Sequence, residues 1–407
     1  MISLSEAHQQ ISMLQPLKPA AMVLEKALGL VCAEDIRAVT NCPTVDSSLK
    51  DGFAVVSADI AGASATNPVT LRVVGALHAG DDTGGSHVIP GTALRIMTGA
   101  PIPSGATAVL ASEFSEVDGE KVIIRADARP GRNILFSGSD VQQGQVVLAR
   151  DEVVTPARLG LLAAAGLAEI ACYPLPKIAI AATGSELVWP GEPIPPGKVA
   201  ASNMITAAAE LRRVGVSAST ILLRDNFHLL QEQFSSLVNE VDVLITCGGI
   251  LDGDKDLTMK AMEALGMKKI FHRVRIGPGK GVCLGRIGST VVFNLPGGPP
   301  SNHVALLLLA LPGVRRLMGF ADFMPPRLRV VVSETLTGQC EWTQLVYGKT
   351  RQEADILYAD PLLTKRRLEA MAMANILIEI PEGCNNVLAG DKATAWLFSP
   401  AFVNMFS

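Results

Sequence analysis

The sequence predicts a multidomain chain of mixed α/β and β class: a parallel α/β domain, with an inserted β domain before it and a C-terminal β domain after it. Three observations carry that prediction. A chain of 407 residues exceeds what one hydrophobic core organises. Between residues 177 and 322, apolar strand runs alternate with amphipathic helix patterns, as helical crossovers over a parallel sheet require. At 46–145 and again at 323–407, short β-branched runs are cut by Gly, Pro and Asp turns. Apolar residues make up 48% and charged residues 18%, so each segment has enough to bury.

Residues 1–45, joined by 146–176, read as a helical first domain. Ser5 is placed to cap a first helix carrying Ile11 and Leu14 on one face, and "AAMVLEKALGLVCAEDI" after Pro19 reads as a second. Domain II, 46–145, holds "VTLRVVGAL", "TALRIMTGA", "TAVLASEFSEV" and "KVIIRA". "TPARLGLLAAAG" at 155–166 then returns to helix, so the β domain is inserted. Domain III, 177–322, opens with the buried-strand run "KIAIAAT". "SNMITAAAELRRVGV" follows as a helix with Ser202 placed to cap it, then strand "SASTILLRD", helix "NFHLLQEQFSSLVNEV", strand "DVLITCGG" and helix "KDLTMKAMEALG". Past "MPPR", domain IV (323–407) is β-rich again, with "RLRVVVSETL", "NILIEIP" and "KATAWLF".

Composition removes several function classes. Aromatics at 4% argue against a stacking platform for single-stranded nucleic acid, and a net charge of −4 without a basic tract argues against phosphate-backbone binding. The start lacks the charged-then-apolar order of a signal peptide. The longest apolar run, "HVALLLLALPGV", is shorter than the roughly 20 residues that cross a bilayer. Seven scattered cysteines, never in CxxC spacing, suggest reduced thiols in a cytoplasmic protein and no zinc site. HExxH, Walker and GxSxG motifs are absent, and the histidines do not cluster; His303, on an apolar helix pattern, is expected to be packed.

Chemistry is expected in four loops. In an open α/β sheet, ligands sit beyond the carboxyl ends of the strands. Residues 183–187 (TGSEL), 247–256 (CGGILDGDKD), 276–281 (IGPGKG) and 295–302 (LPGGPPSN) all fall there. Any one alone reads as a turn shaped by Gly and Pro. Together they offer bare backbone N–H groups and Lys280 to an anion. The acids Asp252, Asp254 and Asp256 do not form an EF-hand, because Leu257 stands where its loop needs Gly. They either cap a helix N-terminus or hold Mg²⁺ beside a phosphate.

At these loops the chain resembles the MoeA-type molybdopterin molybdotransferases, which include the gephyrin E domain. The likeness runs through "LGLVCAEDIRA", "SSLKDGFAV", "RIMTGAPIPSGATAV", "GRNILFSGSDV", "ATGSELV", "GKVAASN", "LITCGGILDGDKD", "IGPGKG", "LPGGPPSN" and "ANILIEIPEG". It implies an elongated four-domain homodimer whose α/β domain binds molybdopterin, in a site completed by the other subunit's β domain. The reaction implied is insertion of molybdate (or tungstate) into adenylylated molybdopterin, with Mg²⁺ and release of AMP. By the same resemblance Gly248 and Gly249 cradle the pterin-phosphate, Asp256 lies near substrate and metal, and Lys280 helps hold molybdate. Asp51, Thr98, Asp140 and Glu186 are similarly placed, and Asp254, Gly279, Gly297 and Ser301 complete the expected substrate contacts.

The departures from the family pattern cluster at that site. Ala201 stands for an acid, Leu251 for a hydroxyl residue, Gly277 and Gly281 flank Lys280 where a second lysine is usual, and Gly298 replaces Asn. Ser139 stands before Asp140 where Glu is usual, and Leu135 and Phe136 fall where arginines are usual. Lys365, Arg366 and Arg367 either form a solvated helix face or restore positive charge near an oxyanion. At roughly 1.5–3 kcal/mol for each charge-assisted contact, such losses reshape binding unless the ligand changes too. Two functions follow: a metal insertase with altered detail, or a non-catalytic paralogue that carries molybdopterin or finished cofactor towards a client molybdoenzyme.

Overall fold

The computed structural model describes residues 1–248 and 257–398. The chain divides into two compact units, one of Ala21–Leu28 and Cys32–Cys172, the other of Met1–Ala20, Gly29–Val31 and Tyr173 onward.

The core of the first unit is a six-stranded sheet, in the spatial order Ala108–Ala111, Gly52–Val55, Thr92–Ile96, Val69–Leu77, Lys121–Ile124, Ser115–Asp118. Neighbours are antiparallel except Val69–Leu77 and Thr92–Ile96, which run parallel with a register shift after Val73. Both faces are buried: Phe53 and Val55 enter one apolar cluster and Ala54 the opposite one, as strand alternation dictates. A Cβ on Gly52 would lie 1.9 Å from the Leu110 carbonyl oxygen, so the Lys50-Asp51-Gly52 turn into this strand requires glycine.

The helix expected over 20–36 does not form. The chain makes the strand Ala20–Val23, the 3₁₀ turn Leu24–Lys26 and the strand Ile36–Arg37. Gly29 at φ +78° interrupts the helical pattern. Leu30, Val31 and Cys32 are buried consecutively, which an extended run achieves and one helix face does not. The helix expected at 155–166 is present as Pro156–Ala164, with the Thr155 hydroxyl accepting from the Arg158 N–H at 3.3 Å.

In the second unit, the first helix is Leu4–Ser12, and Ile11 and Leu14 are buried as expected. Its cap is Ser3 rather than Ser5. The Ser3 hydroxyl accepts from the Glu6 N–H at 3.2 Å while the Glu6 carboxylate accepts from the Ser3 N–H at 2.6 Å, a reciprocal box that Ser5 has no partner to build.

A six-stranded sheet organises the α/β part, in the order Ala218–Leu223, Ile178–Thr183, Val243–Cys247, Thr290–Leu295, Cys283–Ile287, Lys268–His272. The first four are mutually parallel; Cys283–Ile287 runs antiparallel to both of its neighbours, so Lys268–His272 points the same way as the first four. The reversal is local: only Gly288 and Ser289 connect Cys283–Ile287 to Thr290–Leu295, a hairpin link too short for a crossover. Ile178 and Ile180 join one core cluster with Met204 and Leu211 of helix Ser202–Arg213. Ala179 and Ala181 join the other with Leu230 and Phe234 of helix Phe227–Glu240. Helices therefore cover both faces.

Beyond residue 326, the strands Thr343–Glu353, Ile356–Pro361, Arg327–Val332, Lys392–Leu397 and Ile376–Ile380 follow one another, and the last pairs back onto the first, closing a barrel. The strand Ile276–Gly277, from the α/β part, adds parallel to Thr343–Glu353. The run at 303–314 is a buried segment in which a π-helical turn, Leu306–Ala310, joins two short helices. Among the described residues no helix is long and apolar enough to cross a membrane.

Candidate functional site

A cleft of about 1850 Å³ opens in the second unit at the carboxyl ends of Ile178–Thr183, Val243–Cys247 and Thr290–Leu295. This is where an open α/β sheet places ligands. Of the expected site residues, Glu186, Gly248, Gly279, Lys280, Gly297 and Ser301 all line it.

Backbone constraint explains the glycines. Gly248 has φ +106°, a Cβ there would meet the Thr183 carbonyl oxygen at 2.8 Å, and its N–H donates to the Leu295 carbonyl at 3.0 Å. Any side chain would push apart the strand ends that form the cleft floor. Gly279, at φ +118°, has the same role in the lysine loop, where a Cβ would lie 2.8 Å from Ile276 Cδ1. Gly297 takes its place through Asn203, whose side-chain Nδ2 donates to the Gly297 carbonyl at 2.8 Å. Ser202 is the first residue of its helix and lines the cleft; it is not a cap, and Ala201, at the cap position, makes no side-chain bond.

Glu186 is exposed, and its carboxylate lies over Gly184, where a Cβ would meet Oε1 at 2.7 Å. Its carboxylate forms no hydrogen bond or ion pair among the described residues, and Glu186 lines the cleft. Its loop is anchored by Asp225, whose carboxylate accepts from the Ser185 N–H at 2.9 Å, and by Lys198 and Arg224, which donate to the Ser185 carbonyl at 2.6 and 3.0 Å.

Lys280 is exposed, with its ammonium 5.1 Å from the Trp342 ring centroid. Trp342, Gln339 and Gln344 form a wall contributed by the barrel, and Arg273 is a second cation at the cleft. The lysine loop is fixed to that wall by the pairing of Ile276 with Thr343 and Gly277 with Gln344, and by Arg275 Nε to Glu382 at 2.9 Å. The sequence pattern missed these four lining residues. They lie outside the four loops at the strand ends, and nothing in the pattern around 339–344 shows that it faces a loop from the preceding domain. The only cue is a tryptophan in a chain that holds 3.

Cys247 also borders the cleft, but burial pushes its thiol up to about 12, so it stays protonated and is no nucleophile. His303 is packed as expected, stacked on Tyr347 with Nδ1 3.1 Å from its hydroxyl.

Lys365, Arg366 and Arg367 lie at the start of helix Arg367–Met373, next to the cleft residue Leu368 without lining the cleft themselves; Arg366 pairs with Glu369 at 3.4 Å. Asp51, Thr98 and Asp140 belong to the first unit. There Asp51 Oδ1 accepts from both the N–H and the hydroxyl of Thr98, each at 2.7 Å, and these bonds hold its carboxyl below the usual range. Asp140 is exposed, and its N–H donates to the Cys42 carbonyl at 3.0 Å. Gly249, Asp252, Asp254 and Asp256 lie outside the described residues. Among the described residues no three His, Cys, Asp or Glu groups gather to hold a metal.

Comparison with known proteins places this geometry among relatives. Residues 2–166 match the family described as the MoeA N-terminal region (domain I and II), and residues 179–316 match a probable molybdopterin binding domain. The chain is 34% identical over 405 residues to molybdopterin molybdenumtransferase 2 of Mycobacterium tuberculosis, covering 96% of this chain and 98% of that one. It is 30% identical to molybdopterin molybdenumtransferase of Haemophilus influenzae, covering 93% and 94%. Among solved structures, a molybdopterin biosynthesis MoeA protein from Pyrococcus horikosii superposes with a TM-score of 0.84 at 28% identity, over 98% of this chain and 99% of that one.

Proposed function

The chain belongs to the MoeA family of molybdopterin molybdenumtransferases, and from that premise we propose that it inserts molybdate, or tungstate in its place, into adenylylated molybdopterin with release of AMP. It is a transferase of molybdenum cofactor biosynthesis. The observation that carries the reading is the convergence of Glu186, Gly248, Lys280 and Ser301 on one cleft at the strand ends.

The backbone at Gly248 and Gly297 leaves room for close approach by the pterin and its phosphate, with Gly249 and Asp254 contributing from residues outside those described. Lys280, assisted by Arg273, offers positive charge to the oxyanion. Gly279 and Ser301 shape that end of the cleft. Lys365, Arg366 and Arg367 add charge near Leu368. A Mg²⁺ ion suits the oxygen chemistry of Glu186, whose exposed carboxylate has no partner among the described residues, together with Asp256; bound there, it would neutralise phosphate charge. Asp51, Thr98 and Asp140 are assigned to the same substrate in the homodimer that the family resemblance implies. The division into domains at 1–45 with 146–176, 46–145, 177–322 and 323–407 belongs to the same proposal. So do a cytoplasmic location, which suits seven free cysteines, and delivery to a client molybdoenzyme.

The test is molybdate-dependent release of AMP from adenylylated molybdopterin by the purified protein. Release that requires both protein and molybdate supports the transferase. Tight binding of molybdopterin with no release under any oxyanion would leave a carrier instead.

A further inference from the structure

A second cavity, of about 340 Å³, lies in the same unit and shares no lining residue with the cleft. Its volume falls at the lower end of the roughly 300–1000 Å³ of small-molecule sites. Leu307, Leu311, Phe320 and Phe323 give it apolar walls, and three charged residues, Glu210, Arg213 and Arg315, reach it. The charges are unequally matched. Glu210 is neutralised locally, since Arg213 donates to its two oxygens at 2.9 and 3.0 Å and His303 Nε2 lies 3.5 Å away.

Arg315 has only a longer-range attraction to Asp322. It donates to the Asp322 carbonyl at 2.8 Å, its guanidinium lies 4.4 Å from the Phe320 ring centroid, and its Nε is buried with no hydrogen-bond partner among the described residues. It forms no ion pair among the described residues. Burial draws its pKa below the usual value, so the charge is held at a cost in desolvation. A half-buried guanidinium whose buried Nε has no hydrogen-bond partner among the described residues, on the wall of an apolar chamber, is matched by a carboxylate attached to a hydrocarbon.

We propose that this cavity is a second ligand site, which takes a small amphipathic carboxylate, a short fatty or aryl acid, with its carboxylate on Arg315 and its apolar body against Phe320, Phe323, Leu307 and Leu311. The apolar walls select against inorganic anions, and the arginine selects against neutral hydrocarbons. Since the lining is distinct from that of the cleft, the two ligands do not compete for space.

Titration calorimetry of the full chain with octanoate tests this, with octanol as the uncharged control. One saturable octanoate site per chain is expected, with octanol at least tenfold weaker. Arg315→Gln should weaken octanoate at least tenfold, whereas Lys280→Ala in the cleft should leave it within twofold. The octanoate-to-octanol comparison needs no variant and stands even if Arg315→Gln fails to fold. Absence of saturable octanoate binding, equal binding of octanol, unchanged affinity in folded Arg315→Gln, or loss of binding in Lys280→Ala would each overturn the proposal.

Discussion

Lys280 illustrates how a single residue was legible and its setting was not. A lysine within Gly277-Pro278-Gly279-Lys280-Gly281 stands out once its loop is taken with the three others at the strand ends, because it is the one cation in that segment. Arg273 and Trp342 sit beside the same cleft yet lie outside the four loops where chemistry is expected. Lys280→Ala is therefore expected to weaken molybdate binding at least tenfold, about 1.4 kcal/mol, measured by calorimetry, while Arg273 preserves a remnant and molybdopterin affinity shifts only a few-fold. Unaltered molybdate affinity would move the oxyanion elsewhere. His8 makes a different residue-level claim. Its Nε2 lies 3.0 Å from the Leu308 carbonyl, Trp396 packs edge-on against its ring, and burial lowers its pKa from 6.5 to about 4, with Arg327 contributing. The folded state resists protonation, so stability present above pH 6.5 is lost as pH falls towards 4. That gap sets a ceiling of about 3.5 kcal/mol, at about 1.4 kcal/mol per pH unit. Urea unfolding of wild type and His8→Gln across this window should show the wild type losing the more stability of the two.

At the scale of elements, periodicity read the α/β segment well and the first residues poorly. Ile178–Thr183 and Val243–Cys247 are buried along their whole length, so their unbroken apolar runs are their own signature. The run at 20–36 has helix formers such as Ala27 and Leu28, but Gly29 and the buried Leu30-Val31-Cys32 triplet override propensity. The antiparallel pair Cys283–Ile287 and Thr290–Leu295 carries its own signal in the Gly288-Ser289 link, a two-residue turn between apolar runs. Gly248 joins element to site, because it ends Val243–Cys247 with a backbone only glycine adopts readily. Gly248→Ala should destabilise the fold by about 1–3 kcal/mol and weaken molybdopterin binding together. Thermal unfolding with ligand titration separates this from a surface role, for which neither quantity would move.

For the whole molecule, the sequence supplies the order of its parts, and the resemblance supplies how copies combine. The homodimer is what the family resemblance implies, with the β domain of a second copy completing the proposed site. Sedimentation at micromolar concentration should give twice the mass of the 42.8 kDa chain. A monomer would require the acids of the first unit to be assigned another task.

The two-residue strand Ile276–Gly277, paired onto Thr343–Glu353, makes the cation loop an edge of the barrel as well as a loop of the α/β part. Amide exchange should register that double membership. Opening the barrel at Thr343 releases the Arg275 carbonyl and, with it, the register that aims Lys280. A ligand gripping Lys280 must then slow deuterium uptake along Thr343–Glu353, including amides that never approach it.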